Sequence, residues 1–421
     1  MTEDGVPGLW RRPTTLAALV VALGFLFNFL ARGVADAYTV FLVAIEAEYG
    51  WPRSALTSVY ALYMLTQGLA APVSGMLFER LGPRAVYAIG LGLLGTATFG
   101  AGALVEARWQ LHLLLGVVAG LGVSAMGMVP AAALIGRWYR RNMSTALGIA
   151  YAGFGSGILV IAPLAQFLIE RLGWRGGYQA IGLALLTLVP VTLLLPWRTL
   201  AAGHPDMAEL RRAGAGGGMR LPQAVRTGPF WALVQVFFFT ALGMYVVIAQ
   251  AVALLVDAGY APMDAAAAFG VAGMLSVLGV VASGWLGDRL GFRATATLSF
   301  ASTFAGVLCL IGLSQGANPV LLAGYTLLFG IAQGARGPIV STLTNRIFAG
   351  AGVGTIYGSI FATMSLGAAL GSWLAGMLHD LTGGYAVSLL FAAGCIVLAA
   401  LPFWVSPALA RPQPLPLNHP G

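Results

Sequence analysis

The sequence predicts an all-α membrane protein with twelve transmembrane helices, arranged as two six-helix pseudo-symmetric halves. Three observations predict it: too little charge for water, twelve apolar stretches of bilayer length, and one arginine-rich motif that occurs once in each half. Of 421 residues, 59% are hydrophobic and 9% charged, with mean hydropathy +0.86. A soluble domain carries about a quarter of its residues as charges, so this chain belongs in lipid. Its 58 glycines suit helices that approach closely where no water drives them together.

The apolar stretches fall at 15–45, 54–78, 85–105, 110–136, 143–169, 177–197, 229–257, 264–286, 294–314, 318–346, 354–378 and 384–405. Each is long enough to cross about 30 Å of hydrocarbon as a helix. The start, MTEDGVPGLWRRPTT, has no small-residue cleavage site after a short apolar run, so the first stretch reads as a retained helix. The chain therefore divides into 1–197, a linker at 198–228, and 229–421. The linker is Gly-rich at its centre and reads as flexible, and LPQAVRTGPFW (221–231) reads as a short amphipathic piece at the membrane surface. An even number of spans leaves both termini on one side, and arginine decides which. All 22 basic residues are Arg; only Arg53, Arg108, Arg171 and Arg175 fall in the loops opposite the termini, and Arg32 and Arg336 lie within spans. The other sixteen put both termini in the cytoplasm by the positive-inside rule, in a multi-pass inner (cell) membrane protein.

The same reading limits function. Cys309 and Cys395 sit in apolar runs, which excludes a disulfide framework and a metal site. There is no nucleotide-binding glycine loop and no nucleophile motif, so neither an enzyme nor a cofactor is expected. The net charge of +8 reflects topology, and nucleic acid is not an expected partner; the lipid bilayer is. Nothing demands more than a monomer.

SGMLFERLGPR (74–84) and SGWLGDRLGFR (283–293) share S-G-x-L-x-[ED]-R-L-G-x-R, each at the end of the second span of its half. RLGWRGGY (171–178) and DLTGGY (380–385) form a looser pair between the fifth and sixth spans. Matching positions argue for duplication about an axis along the membrane normal. The first pair resembles the signature of the major facilitator superfamily, and the resemblance implies that superfamily's fold of two six-helix halves. In that motif Gly75 and Gly284 permit close packing, while Glu79 with Arg80 and Arg84, and Asp288 with Arg289 and Arg293, can pair with neighbouring cytoplasmic helix ends as a gate. A narrower resemblance, to the monocarboxylate transporters and the bacterial oxalate/formate group, rests on YTVFLVAIEAEYGWPRSALTSVYALYMLTQGLAAPVSG (38–75), WYRRNMSTALGIAYAGFGSGILVIAPLAQFLIERLGWRGGY (138–178) and AVRTGPFWALVQVFFF (224–239).

Charges inside hydrocarbon cost roughly 2.5–3.5 kcal/mol each on the insertion scale, so they direct attention. Arg32, Asp36 and Arg336 lie well inside the spans. Arg32 is about 24 Å along the first helix from Leu16, at about 1.5 Å per residue. Asn28, Arg32 and Asp36 share one face by their spacing, either facing a cavity or as a self-neutralised pair that packs the helix. In the tenth span Tyr325, Phe329, Gln333 and Arg336 share a face, Gly334 and Gly337 clear room, and Pro338 frees a carbonyl one turn earlier. An unpaired Arg there can grip a carboxylate with two parallel hydrogen bonds, or it can lie at the membrane edge and close a gate. Tyr245 and Gln250 are weaker candidates, as are Tyr151, Tyr357 and Gln67; His112 and His379 read as interfacial.

The resemblance implies that spans 1, 4, 7 and 10 surround the cavity. It also exposes departures: the family's lysine in span 1 aligns with Asp36, and its Asp and Arg in span 8 align with Ser276 and Val280. Anion binding and proton coupling would have to move elsewhere. The expected function is secondary transport of a small organic anion, a monocarboxylate, by alternating access. Arg336, Arg32, Asn28, Gln333, Tyr325 and Tyr245 would form the substrate site, and protons are the candidate coupling ion, carried by Asp36. The alternatives are a major facilitator exporter of amphipathic compounds and a non-transporting membrane sensor.

Overall fold

The computed structural model describes residues 13–205, 219–350 and 352–410. Arg11, Arg12, Arg211, Arg212 and Arg411, all used in the sidedness count, lie outside the described residues, as does the glycine-rich centre of the linker. Among the described residues the ordered backbone is helical, with no strand.

Nine helices are long and apolar enough to cross a membrane among the described residues. Two of these are hairpins of two spans each. Arg53–Leu104 turns back at Gly82 (φ 77°, ψ 173°) and Met143–Leu194 at Gly173 (φ 72°, ψ 167°), backbone conformations that a Cβ disfavours. The helices are therefore α1 (Pro13–Tyr49), α2 (53–81), α3 (83–104), α4 (Arg108–Ile135), α5 (143–172), α6 (174–194), α7 (Gly228–Asp257), α8 (Pro262–Leu290), α9 (Phe292–Leu313), α10 (Pro319–Ala332 and Arg336–Ile347), α11 (Val353–Thr382) and α12 (Ala386–Ala400). Twelve spans in two sets of six match the expected layout.

The spans depart from ideal helices at places that matter for the cavity. α1 is interrupted at Ala37, directly after Asp36. α4 contains a π-helical stretch, His112–Val118, and a break at Gly127. α10 is interrupted at 333–335, where tighter bonds run from Gln333 N to Gly330 O and from Ala335 N to Ala332 O. Pro338 supplies the reason, since it has no N–H to offer the carbonyl one turn back.

The linker begins differently from expectation. Trp197–Ala202 is a helix, and Leu200 is fully buried beneath it. Trp138 Nε1 donates to Leu200 O at 2.8 Å, and Arg137 donates to Ala201 O at 3.1 Å. The first residues after α6 are thus fastened to the end of α4. The predicted surface piece is a four-residue helix, Leu221–Ala224, that leads into α7.

The halves meet along two seams, α2 against α11 and α5 against α8. Both are close at the end of the molecule nearest the linker, and each stays close toward mid-helix, where a Cβ on Gly68 would run into Ser365 and one on Gly155 into Val277. A Cβ on Gly75 would run into the Gly354 carbonyl, and one on Gly284 into the Ser144 carbonyl. Away from the linker, no such collision meets a Cβ placed at Gly270 or Gly376.

Candidate functional site

The seams frame a cavity of about 550 Å³ between the halves. Its wall comes from α1, α2, α4, α5, α7, α8, α10 and α11. The expectation that helices 1, 4, 7 and 10 surround it holds only in part, because α1 and α4 each contribute one residue, Arg32 and Met128. The helices of the two seams supply most of the rest, because the halves splay apart between them. On α2 the wall reaches Thr57, one turn from the helix end remote from the linker.

Arg32 and Arg336 are the charged residues on this wall. Arg32 Nη2 lies 2.9 Å from Asp36 Oδ2. Its Nη1 donates to Tyr63 Oη and to Gln67 Oε1, each at 3.2 Å, and Phe154 flanks it with its ring centre 5.6 Å from Cζ. Asp36 is held a second time by Tyr60 Oη at 3.0 Å. The positive charge is therefore balanced inside the protein.

Arg336 is 3% exposed, which removes the alternative of a cation reaching out to the membrane edge. It opens the second segment of α10, just past the break. Its Nη1 donates to Ala332 O, which also accepts from Ala335 N, and its Nη2 donates to Thr303 Oγ1 and, at 3.1 Å, to Ser299 O on α9. Its Nε has no hydrogen-bond partner, and no carboxylate pairs with it among the described residues. Neutral dipoles solvate the guanidinium without cancelling its charge. The wall thus carries one net positive charge.

Gln333 and Tyr245 also line the cavity. Two other candidates do not. Asn28 is fully buried and donates to Gly24 O at 2.8 Å and Ala150 O at 3.3 Å, so it joins α1 to α5. Tyr325 is fully buried, its ring 5.6 Å from that of Phe329. Sequence spacing put both on the right helix but could not orient the helix. Gln250 likewise faces α12, where it accepts from Ser388 Oγ at 2.8 Å.

The acids of the repeated motif bridge the halves at the linker end. Glu79 Oε1 accepts from Thr355 N at 3.0 Å and its Oε2 from Thr355 Oγ1 at 3.1 Å, at the start of α11. Asp288 Oδ1 accepts from Ser144 N at 3.3 Å, and its Oδ2 accepts from Thr145 N at 2.7 Å and Thr145 Oγ1 at 2.8 Å, at the start of α5. Each acid caps the fifth helix of the opposite half, where a carboxylate also meets the positive end of the helix dipole. The motif arginines do not join in as expected. Arg80 and Arg84 are exposed; Arg289 lies over Trp285 and Arg293 over Trp404. The cation near Asp288 is instead Arg346 of α10, at 3.9 Å.

The Major Facilitator Superfamily family model matches residues 21–331 and 281–420. This chain belongs to the major facilitator superfamily. Within it, the chain is 29% identical over 408 residues to monocarboxylate transporter 13 of Bos taurus, covering 94% of this chain and 92% of that one. It is 30% identical over 389 residues to monocarboxylate transporter 11 of Mus musculus, covering 90% and 85%. The proton:xylose symporter XylE bound to 6-bromo-6-deoxy-D-glucose superposes with TM-score 0.71 at 14% identity, covering 93% of this chain and 96% of that one. The E. coli fucose:proton symporter FucP gives TM-score 0.69 at 15% identity, covering 92% and 98%. The chain is thus a multi-pass membrane transporter of that superfamily, related to the monocarboxylate transporters, and not an enzyme.

This superfamily cavity includes residues that sequence reasoning missed. Tyr60 and Met64 follow i, i+4, i+7 spacing on α2 with Gln67, which the sequence offers only as a weaker candidate, a face that the arginine partners now explain. That signal was available. The contribution of α9, through Ser299 and Thr303, was not, because neither residue differs from ordinary small polar residues inside a membrane helix.

Proposed function

We propose that this protein moves a monovalent organic anion, a monocarboxylate, by alternating access. The observation that carries the proposal is the guanidinium of Arg336, buried on the cavity wall without an acidic partner. An isolated buried charge is costly, and a substrate carboxylate would relieve that cost on arrival. Two net positive charges would suit a dianion; Arg32, Asp36 and Arg336 together suit one negative charge. The names of the relatives, monocarboxylate transporters 11 and 13, point the same way.

In this reading the two acid-capped seams hold the linker end closed, so that the cavity serves the opposite side. Opening must break both caps. With the linker end in the cytoplasm, as the arginine bias argues, this conformation faces outward. Protons are the proposed coupling ion, with Asp36 as carrier. A substrate carboxylate that engages Arg32 takes part of its counter-charge from Asp36 and adds a like charge beside it. A proton on Asp36 removes both penalties, which links substrate entry to proton uptake. The unit that does this is a single chain, with residues 1–197 and 229–421 as its moving bodies and 198–228 as the tie between them.

Uptake of labelled monocarboxylates into proteoliposomes tests the proposal. Accumulation driven by an inward proton gradient is the expected result. Binding without accumulation would make the protein a sensor, and movement of neutral amphipathic compounds in place of acids would make it an exporter. Reporter fusions after residues 212 and 410 should mark the cytoplasm and one near 106 the opposite side; a reversed pattern would invert the direction assigned to the cavity.

A further inference from the structure

Four methionines face the cavity from four helices of both halves: Met64 on α2, Met128 on α4, Met244 on α7 and Met364 on α11. Two of them touch the arginines. Met64 Sδ lies 3.4 Å from Arg32 Nη1, and Met244 Sδ lies 3.6 Å from Arg336 Nη1. Phe154 lines the same wall beside Arg32, and Phe361 lines it on α11. Each arginine therefore has a soft, polarisable thioether at its flank.

Four of the wall's hydrogen-bonding side chains are engaged with the protein itself, while the Thr240 hydroxyl has no partner. Tyr60 is held by Asp36, Gln67 by Arg32, Tyr151 by the Met128 carbonyl and Ser276 by the Gly273 carbonyl. The volume argues for size. About 550 Å³ falls within the range of roughly 300–1,000 Å³ that encloses drug-sized ligands. A short-chain acid would leave most of that space to water, against an apolar wall that gains nothing from it.

We infer that the substrate is a bulky aromatic monocarboxylate, with its carboxylate at an arginine and its ring against the methionines and phenylalanines. Thioethers suit aromatic rings, which they contact favourably at the edge, and unbranched methionine side chains adapt to rings of different outline. The inference rests on the reading of the cavity as an organic-anion site. Its added content is the class of the apolar body.

The test is a titration of the purified full-length protein, by calorimetry and by thermal shift, with three compounds. They are propanoate, 3-phenylpropanoate and the neutral 3-phenylpropanamide. Both acids are ionised at neutral pH and differ in the ring alone. Expected is binding of 3-phenylpropanoate roughly tenfold or more tighter than propanoate, as burial of one ring's apolar surface supplies, and no measurable binding of the amide. Equal affinity for the two acids would overturn the aromatic inference and leave the anion reading standing. Tightest binding of the amide, or binding of neither acid, would overturn both. As a second measurement, Met64→Ala and Met244→Ala should each weaken 3-phenylpropanoate several-fold and leave propanoate unmoved. Wild-type titrations decide the matter if either variant fails to fold.

Discussion

Arg32 and Arg336 sit on opposite halves of one cavity and differ in what balances them. Arg32 has a carboxylate at 2.9 Å, and both groups are partly exposed, at 15% and 14% of their side chains. Arg336 is surrounded by carbonyls, a hydroxyl, the ring of Phe300 at 4.6 Å and a thioether. Within a pair each charge offsets the desolvation of the other. An unpaired buried arginine has a standing cost of roughly 2.5–3.5 kcal/mol on the insertion scale, with no structural pair to offset it. On the proposed function, the difference would separate two roles: a relay on α1 whose charge state can change, and a receptor on α10 whose charge is permanent.

The sharpest way to break this comparison is to exchange the receptor. Arg336→Ala should cost about 2–5 kcal/mol in transport of the acid, the range for one member of a desolvated charge pair, which is about thirtyfold or more in kcat/KM. Arg336→Lys should fall between, since it keeps the charge but loses the planar fork. Initial uptake rates in proteoliposomes decide. Near-normal accumulation by the alanine variant would make Arg336 structural and erase the distinction.

The relay should respond differently. Asp36→Asn mimics a permanently protonated carboxyl, so counterflow exchange should persist while stimulation by an inward proton gradient disappears. Counterflow and gradient-driven uptake run in parallel give the answer. If the asparagine variant still follows the gradient as wild type does, Asp36 merely partners Arg32.

The smallest expected effect concerns the two seams, which should not weaken equally. Asp288 accepts three hydrogen bonds and has Arg346 at 3.9 Å, whereas Glu79 accepts two from Thr355 and lies in the field of Arg137. Loss of a helix cap costs about 0.5–2 kcal/mol. Glu79→Gln and Asp288→Asn should each raise the population open at the linker end by about twofold to thirtyfold, with Asp288→Asn the larger. Spin-label distances between the linker ends of α2 and α11, and of α5 and α8, measure both. Equal populations in the variants and wild type would show that the glycine contacts alone hold the seams.

The sequence by itself determined the medium, the number of spans and the pseudo-symmetry of the halves. Hydropathy is a sum over residues and needs no neighbours, and a duplicated motif is legible wherever it stands. It also singled out Arg32, Asp36 and Arg336, because a charge in an apolar run is conspicuous. What it could not supply was the rotation of each helix about its axis. Asn28 and Arg32 share a face by spacing, yet a modest rotation buries the first against α5 and leaves the second on the cavity wall. The same limit hid the methionines, which read as filler until four helices brought them to one wall. Tertiary structure alone decided which helix ends the motif acids cap, since Asp288 meets Ser144 and Thr145 across more than a hundred residues of chain. Pairing between halves depends on which helix ends lie side by side, and no local pattern along the chain encodes that distance.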